Sequence, residues 1–152
     1  MKALFSVPKK VHHGLLLVTE LAGRYGSGRP LTLEEMAVRT GISQGFLEEV
    51  AAVLRSAKII AGRRGAGGGY ELKRDPRRLS VAEVLEAFVG PLAMIECLDG
   101  RSECLMADSC ANRNVWLKVQ NQVAATLRGL TVAEAAGLAG PKTERYGKKR
   151  GK

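Results

Sequence analysis

Apolar residues recur along this chain in two different periods, and the switch between them lays out the elements. Val11, Leu15, Val18 and Ala22 stand three and four apart, which predicts a first helix over Lys9–Arg24. After the loop GSGRP at 26–30, Leu33, Met36 and Ala37 give the inner face of a short helix over 32–40 that stops at Gly41. Leu47, Val50, Ala51 and Leu54 mark a third helix, with Ser43 placed to cap it. From Ile59 the helical period is lost: Ile59 and Ile60 open a strand, Gly65–Gly69 make a turn, and Tyr70, Glu71 and Leu72 return as the second strand of a hairpin. Val81, Val84, Leu85 and Phe88 restore the helix, and Gly90-Pro91 ends it. Residues 92–111 carry no period. Over Asn112–Arg128 the apolar side of a long helix runs Trp116, Val119, Val123, Thr126 and on to Leu130, spaced 3, 4, 3, 4 like a coiled-coil seam, with Leu127 beside it.

Three hydroxyl-acid pairs sharpen the boundaries. Thr32 with Glu35, Ser80 with Glu83 and Thr131 with Glu134 have the capping-box spacing, in which the hydroxyl accepts from the backbone three residues on and the carboxylate bonds back. The expected fold is therefore mainly α with a small β-hairpin wing: a winged helix-turn-helix domain over 1–90, a cysteine-rich loop over 91–111, a dimerisation helix and a short following helix over 112–140, and a disordered basic tail over 141–152.

The second and third helices have the spacing of a helix-turn-helix. Ala37 permits close approach, Gly41 supplies a positive φ at the corner, and Leu47 and Val50 plug the second helix into the core. Such a helix presents its N-terminal side chains, here Ser43, Gln44, Gly45, Phe46 and Glu48, to the major groove. Arg63 and Arg64 precede the glycine-rich turn of the hairpin, where guanidinium groups reach phosphate or minor groove. Neither a dinucleotide fingerprint nor a P-loop can be read in GRRGAGGGYEL.

Charge supports the same partner. Lys and Arg number 24 against 15 Asp and Glu, and the excess is concentrated: Pro141–Lys152 holds six basic residues and one acid, and Arg55–Arg78 holds eight against Glu71 and Asp75. Patches of this sign suit a polyanion. The longest aliphatic run, Leu15–Val18, is far too short to span a bilayer, and MKALFSVPKK has no apolar signal core, so a cytoplasmic protein without membrane contact is expected.

Cys97, Cys104 and Cys110 lie in a polar stretch, separated by six and five residues. Structural zinc prefers closer pairs. An iron-sulfur cluster held by three thiolates fits the spacing but needs a fourth ligand; a reducible disulfide with a spare thiol, or three small buried residues, are the alternatives. A thiol- or metal-dependent enzyme would need a base and an orienting group. The chain has only two adjacent histidines and no Ser-His-Asp or Cys-His signature, so a non-enzymatic protein is expected.

The segment TGISQGFLEEVAAVLRSAKIIAGRRGAGGGYELKRDPRRLSVAEVLEAF, with the cysteine loop and CANRNVW, resembles the family of iron-sulfur-cluster regulators and nitric-oxide-sensing repressors, homodimeric bacterial winged-helix transcription factors. The resemblance spans about residues 5 to 138. It implies that Ser43, Gly45, Phe46 and Glu48 read bases, that Arg64 is the wing arginine, and that Cys97, Cys104 and Cys110 hold a cluster, 2Fe-2S or 4Fe-4S. The six-residue gap between the first two cysteines departs from the family's common five. Arg113 stands where some relatives place a fourth ligand, His, and Lys10 near where others place an acid; neither side chain ligates iron. His12 or His13 of a partner subunit, or Asp99, Glu103 or Asp108, then become the candidates for that position. The reading is a homodimer on a double-stranded DNA operator, sensing redox, nitric oxide or iron-sulfur status. Its alternative is a cofactor-free winged-helix regulator controlled by a partner protein or a metabolite.

Overall fold

The computed structural model describes residues 6–98, 104, 106–107 and 109–138. Six helices and one hairpin run in the order α1 (Lys9–Ala22), α2 (Leu33–Thr40), α3 (Gln44–Ser56), β1 (Ile60–Arg63), β2 (Gly69–Leu72), α4 (Val81–Val89), α5 (Ala111–Gly129) and α6 (Val132–Ala135), with single 3₁₀ turns at Pro76–Arg78 and Glu96–Leu98. The predicted fold class holds.

One core serves the first ninety residues. Leu17, Val18 and Leu21 of α1, Met36 of α2, and Leu47, Val50, Ala51 and Leu54 of α3 are buried together with Ile60 and Leu72 at the base of the hairpin. The strands pair antiparallel with Ile60 opposite Leu72 and Arg63 opposite Gly69, so the base is anchored in apolar contacts and the tip stands in solvent. Burying each of these aliphatics contributes roughly 1.5–3 kcal/mol.

The boundaries show which local signals won. Ser80 and Thr131 make full capping boxes with Glu83 and Glu134. Thr32 makes only half of one: its Oγ1 accepts from the Glu35 N–H at 3.1 Å, but the Glu35 carboxylate turns to the Arg24 guanidinium instead. A charged pair outweighs a bond from one backbone N–H. Helix α1 ends at Ala22, two residues short of the predicted Arg24, where the backbone tightens to the i to i+3 bonds Arg24 N–H to Leu21 O and Tyr25 N–H to Ala22 O. Ser43 occupies the N-cap of α3 with extended backbone, but its hydroxyl makes no capping bond. Gly41 takes φ +71° at the corner and donates to Ala37 O at 2.9 Å, as the helix-turn-helix requires.

Three features were not legible in the pattern. Leu31 bridges Tyr70 through two hydrogen bonds, 2.9 and 2.8 Å, adding a third short edge to the wing. Lys58 adopts φ +58° and closes α3 with a Schellman pair, Lys58 N–H to Arg55 O and Ile59 N–H to Leu54 O, both 3.0 Å. Finally, α6 folds back onto the N-terminal domain. Val132 N–H donates to Leu79 O and Val81 N–H to Leu130 O, both at 2.8 Å, and Val132 is buried among the core aliphatics.

Helix α5 differs from the others. Of its nineteen residues only Ala124 is buried. Arg128 reaches Glu86 of α4 at 3.4 Å, and Gln120 accepts from the Met94 N–H at 3.0 Å. Val115 and Val123 are exposed, and Trp116, Val119 and Leu127 half-buried. Among the described residues no helix is long and apolar enough to cross a membrane.

Candidate nucleic-acid interface and cysteine loop

The N-terminal end of α3 and the wing face one another across a cleft of about 570 Å³. Gln44 and Glu48 line the α3 side, and Arg63 with the glycines of the turn lines the other. Gln44 Nε2 donates to Glu48 Oε1 at 3.2 Å, one helical turn apart, which holds the two side chains in register. Ser43 and Gly45 are exposed beside them, and a Cβ on Gly45 would meet nothing within 4 Å. That open space is where another backbone can come close.

Phe46 behaves differently from its neighbours. Its ring is half-buried, packs against the core, and meets the His13 ring edge-on at 5.4 Å between centroids. It therefore seats α3 on α1, and the exposed row of this helix is Ser43, Gln44, Gly45 and Glu48. An ion pair between Lys10 and Glu49 at 3.1 Å clamps the same two helices on the solvent side.

The two wing arginines also separate. Arg63 Nη1 donates to Gly28 O at 3.4 Å and so holds the α1–α2 loop. Arg64 is exposed and makes no hydrogen bond or ion pair among the described residues, leaving its guanidinium available. The turn that follows them is built from glycines for steric reasons. A Cβ on Gly68 would stand 2.4 Å from Arg63 O, and one on Gly69, at φ +146°, 2.7 Å from Leu31 O.

The cysteines belong to the segment that leads into α5. Cys97 sits in the 3₁₀ turn and is half-buried, Cys104 is exposed, and Cys110 is the half-buried N-cap residue of α5; all three are free thiols. The donor set suits a cluster in kind. Yet among the described residues no three His, Cys, Asp or Glu side chains gather into a group able to hold a metal ion, so the three thiols do not converge and no histidine joins a pair of them. His12 is exposed, with its ring 5.3 Å from that of His13. The Nδ1 of His13 is buried without a hydrogen-bond partner among the described residues. Asp99, Glu103, Asp108 and the tail from 141 lie outside the described residues. Arg113 is half-buried in the first turn of α5, its backbone N–H donating to Cys110 O at 3.2 Å and its Nε unpaired among the described residues.

Sequence reasoning missed the tether from Arg63 to Gly28 and the Leu31 edge, because both join segments with no shared period. The one available hint is that Leu31 is an aliphatic standing just before a capping Thr, outside the helix that follows.

Comparison with known proteins places this architecture. The chain matches the Rrf2 family model, described as an iron-dependent transcriptional regulator, over residues 7–137. The solved structure of CymR (YrzC), described as the global cysteine regulator of B. subtilis, superposes with TM-score 0.76 at 26% identity, covering 90% of this chain and 100% of that one. In sequence the same regulator is 27% identical over 140 residues, 92% of this chain and 96% of that protein. The structure of T. potens IscR gives TM-score 0.72 at 30% identity over 95% of each chain. The HTH-type transcriptional regulator IscR of Sodalis glossinidius is 30% identical over 125 residues, 82% of this chain and 74% of that protein. These relatives are named as regulators of transcription, not as enzymes, and with the family match running from α1 through α6 the chain belongs to the Rrf2 family of transcriptional regulators.

Proposed function

We propose that this protein is a cytoplasmic homodimer that binds a double-stranded DNA operator and adjusts its grip through the cysteine loop. The cleft between α3 and the wing carries the reading, since Gln44 and Glu48 line one side and Arg63 with the glycines of the turn the other, with the exposed Ser43, Gly45 and Arg64 next to them in the chain. Ser43, Gln44 and Glu48 offer donors and acceptors to base edges in the major groove. Arg64, on a glycine-rich tip that approaches a backbone closely, reaches the minor groove or a phosphate, while Arg63 shapes the wing from behind. Phe46 acts one step back by fixing the tilt of α3.

The working division follows the expected one: 1–90 binds DNA, 91–111 senses, 112–140 dimerises, and the basic tail from 141 adds charge. In this division α6 is the strap that ties α5 to the DNA-binding core. Trp116, Val119, Val123 and Leu127 form the intersubunit seam, supported by the near absence of buried residues along a nineteen-residue helix.

Cys97, Cys104 and Cys110 are the sensing thiols and, in the leading version, the ligands of an iron-sulfur cluster, with His12 or His13 of the partner subunit or a loop carboxylate in the fourth position. Such a cluster supplies iron that reacts with oxidants and nitric oxide. The separation of the thiols in the single chain supports a second version, in which the loop carries no cofactor and a metabolite or partner protein sets the DNA affinity. A relative described as a global cysteine regulator fits that version.

Visible absorbance, iron and sulfide measured on protein purified without oxygen decide between them. Colour lost on replacing each Cys by Ala supports the cluster; colourless, iron-free wild type that still binds DNA supports the second version. Duplex binding in the same preparations tests the switch. Unaltered affinity in colourless Cys variants refutes it.

A further inference from the structure

The α1–α2 loop is fastened to the wing at two points and braced from α1 at a third. Leu31 and Tyr70 exchange two backbone hydrogen bonds, Arg63 Nη1 reaches Gly28 O at 3.4 Å, and Arg24 reaches Pro30 O at 3.4 Å while paired with Glu35. The loop is also fixed from within: Ser27 Oγ donates to Arg24 O at 2.7 Å and accepts from the Arg29 N–H at 3.2 Å. Gly26 and Gly28 hold φ +75° and +70°, with open space where a Cβ would stand. Out of this frame projects Arg29, exposed and with no side-chain hydrogen bond or ion pair among the described residues.

The neighbouring charges matter. Arg24 is committed to Glu35, and its pKa is raised by the hydrogen bonds it donates to that carboxylate. Glu71 lines the same 370 Å³ hollow as Arg29, with Tyr25 and Tyr70, but does not pair with it. The structure thus presents a side-by-side pair of small loops, each with glycines at its tip and each carrying one arginine whose side chain is unpaired among the described residues: Arg64 on the wing and Arg29 on the α1–α2 loop.

We infer that the Gly26–Pro30 loop is a second DNA-contacting element, in which Arg29 clamps the phosphodiester backbone alongside the wing. This rests on the DNA-binding reading above and extends it beyond the helix-turn-helix and the hairpin tip. A duplex seated on the α3 end and on Arg64 runs past Gly28, which Arg63 holds against the wing. A guanidinium offered there to two phosphate oxygens forms a bidentate charge-assisted contact. Glycines at 26 and 28 let the duplex come close. The contact carries no sequence information; it positions the protein on the groove.

The test uses the full-length protein and a duplex of about 40 base pairs enriched from a random-sequence library by the wild type, with a scrambled duplex of the same length as control. Binding is measured from about 50 to 300 mM salt for wild type, Arg29→Ala, Arg29→Lys and Arg64→Ala. Loss of one phosphate contact shrinks the slope of log affinity against log salt by about one and lowers affinity roughly three- to tenfold on both duplexes. Arg29→Lys keeps the slope, and the thermal midpoint is unchanged because the Arg29 side chain makes no bond among the described residues. Arg63→Ala, which frees Gly28, weakens binding in the same non-selective way. Arg29→Ala indistinguishable from wild type on both duplexes, with Arg64→Ala impaired, overturns the inference alone. A wild type that enriches and binds no duplex overturns the DNA-binding reading and this inference with it.

Discussion

The His13 ring of α1 stands edge-on to the Phe46 ring of α3, with centroids 5.4 Å apart and planes at 86°. This is the favoured geometry of an aromatic pair, positive edge to negative face. It joins the first helix of the chain to the first turn of the helix whose exposed row faces the wing.

Phe46→Ala should cost about 2 kcal/mol in urea unfolding, less than a fully buried Phe because the ring is half-exposed, and should also weaken duplex binding. Phe46→Leu should restore most of the stability. If Phe46→Ala abolishes DNA binding without any loss of stability, the ring touches bases and not α1.

Gly14 is the point where α1 and α4 touch. A Cβ there would lie 2.3 Å from two ring atoms of Phe88. Gly14→Ala should destabilise by about 1–3 kcal/mol through overpacking. Adding Phe88→Leu should recover part of that loss, so that the pair is strongly non-additive in a double-mutant cycle. Simple additivity would mean that the helices separate by another route.

Lys58 is a non-glycine residue at φ +58° in a Schellman closure. Lys58→Gly should raise stability by roughly 1 kcal/mol, since glycine adopts this conformation without the Cβ penalty. The expected readout is a higher urea midpoint with an unchanged m-value. A lower midpoint would show that the lysine stem supplies more than the backbone loses.

Acid should unfold the protein through its caps. Hydrogen bonds from Arg24 hold the Glu35 carboxyl below its ordinary value of 4.5, and the Thr131 N–H and hydroxyl do the same for Glu134. For Glu83 burial pushes the pKa up, but the Ser80 N–H, the Arg74 guanidinium and the Ser80 hydroxyl together carry it below 4.5. With folded values depressed, the unfolded chain binds more protons, so stability is complete above 4.5 and falls as pH drops through the folded values. Thermal midpoints followed below pH 5 should show a shallower decline in Glu83→Gln and Glu134→Gln than in wild type. An identical decline in all three would remove the caps from the acid transition.

Val119→Asp with Val123→Asp should give monomers in sedimentation, because two carboxylates would face each other across the proposed seam. A persistent tight dimer would move the interface elsewhere. Fold should survive, since neither side chain is buried in the single chain.

Much of this architecture is dictated locally. Periodicity located the five longer helices and the hairpin, and the Ser80 and Thr131 capping boxes fixed two helix starts, because caps and amphipathic stripes depend on residues within a turn or two of each other. Gly41 at its positive φ followed from chain geometry alone. Tertiary structure decided everything that depends on distant segments competing for one group. It gave Glu35 to Arg24 in place of Thr32, turned Phe46 toward His13, committed Arg63 to Gly28 while leaving Arg64 unpaired among the described residues, and placed α6 in the N-terminal core. It also left Cys97, Cys104 and Cys110 apart in the single chain, although their spacing alone suits one cluster. Spacing along a polar loop sets only how far side chains can reach, and their convergence requires contacts that hold the loop closed.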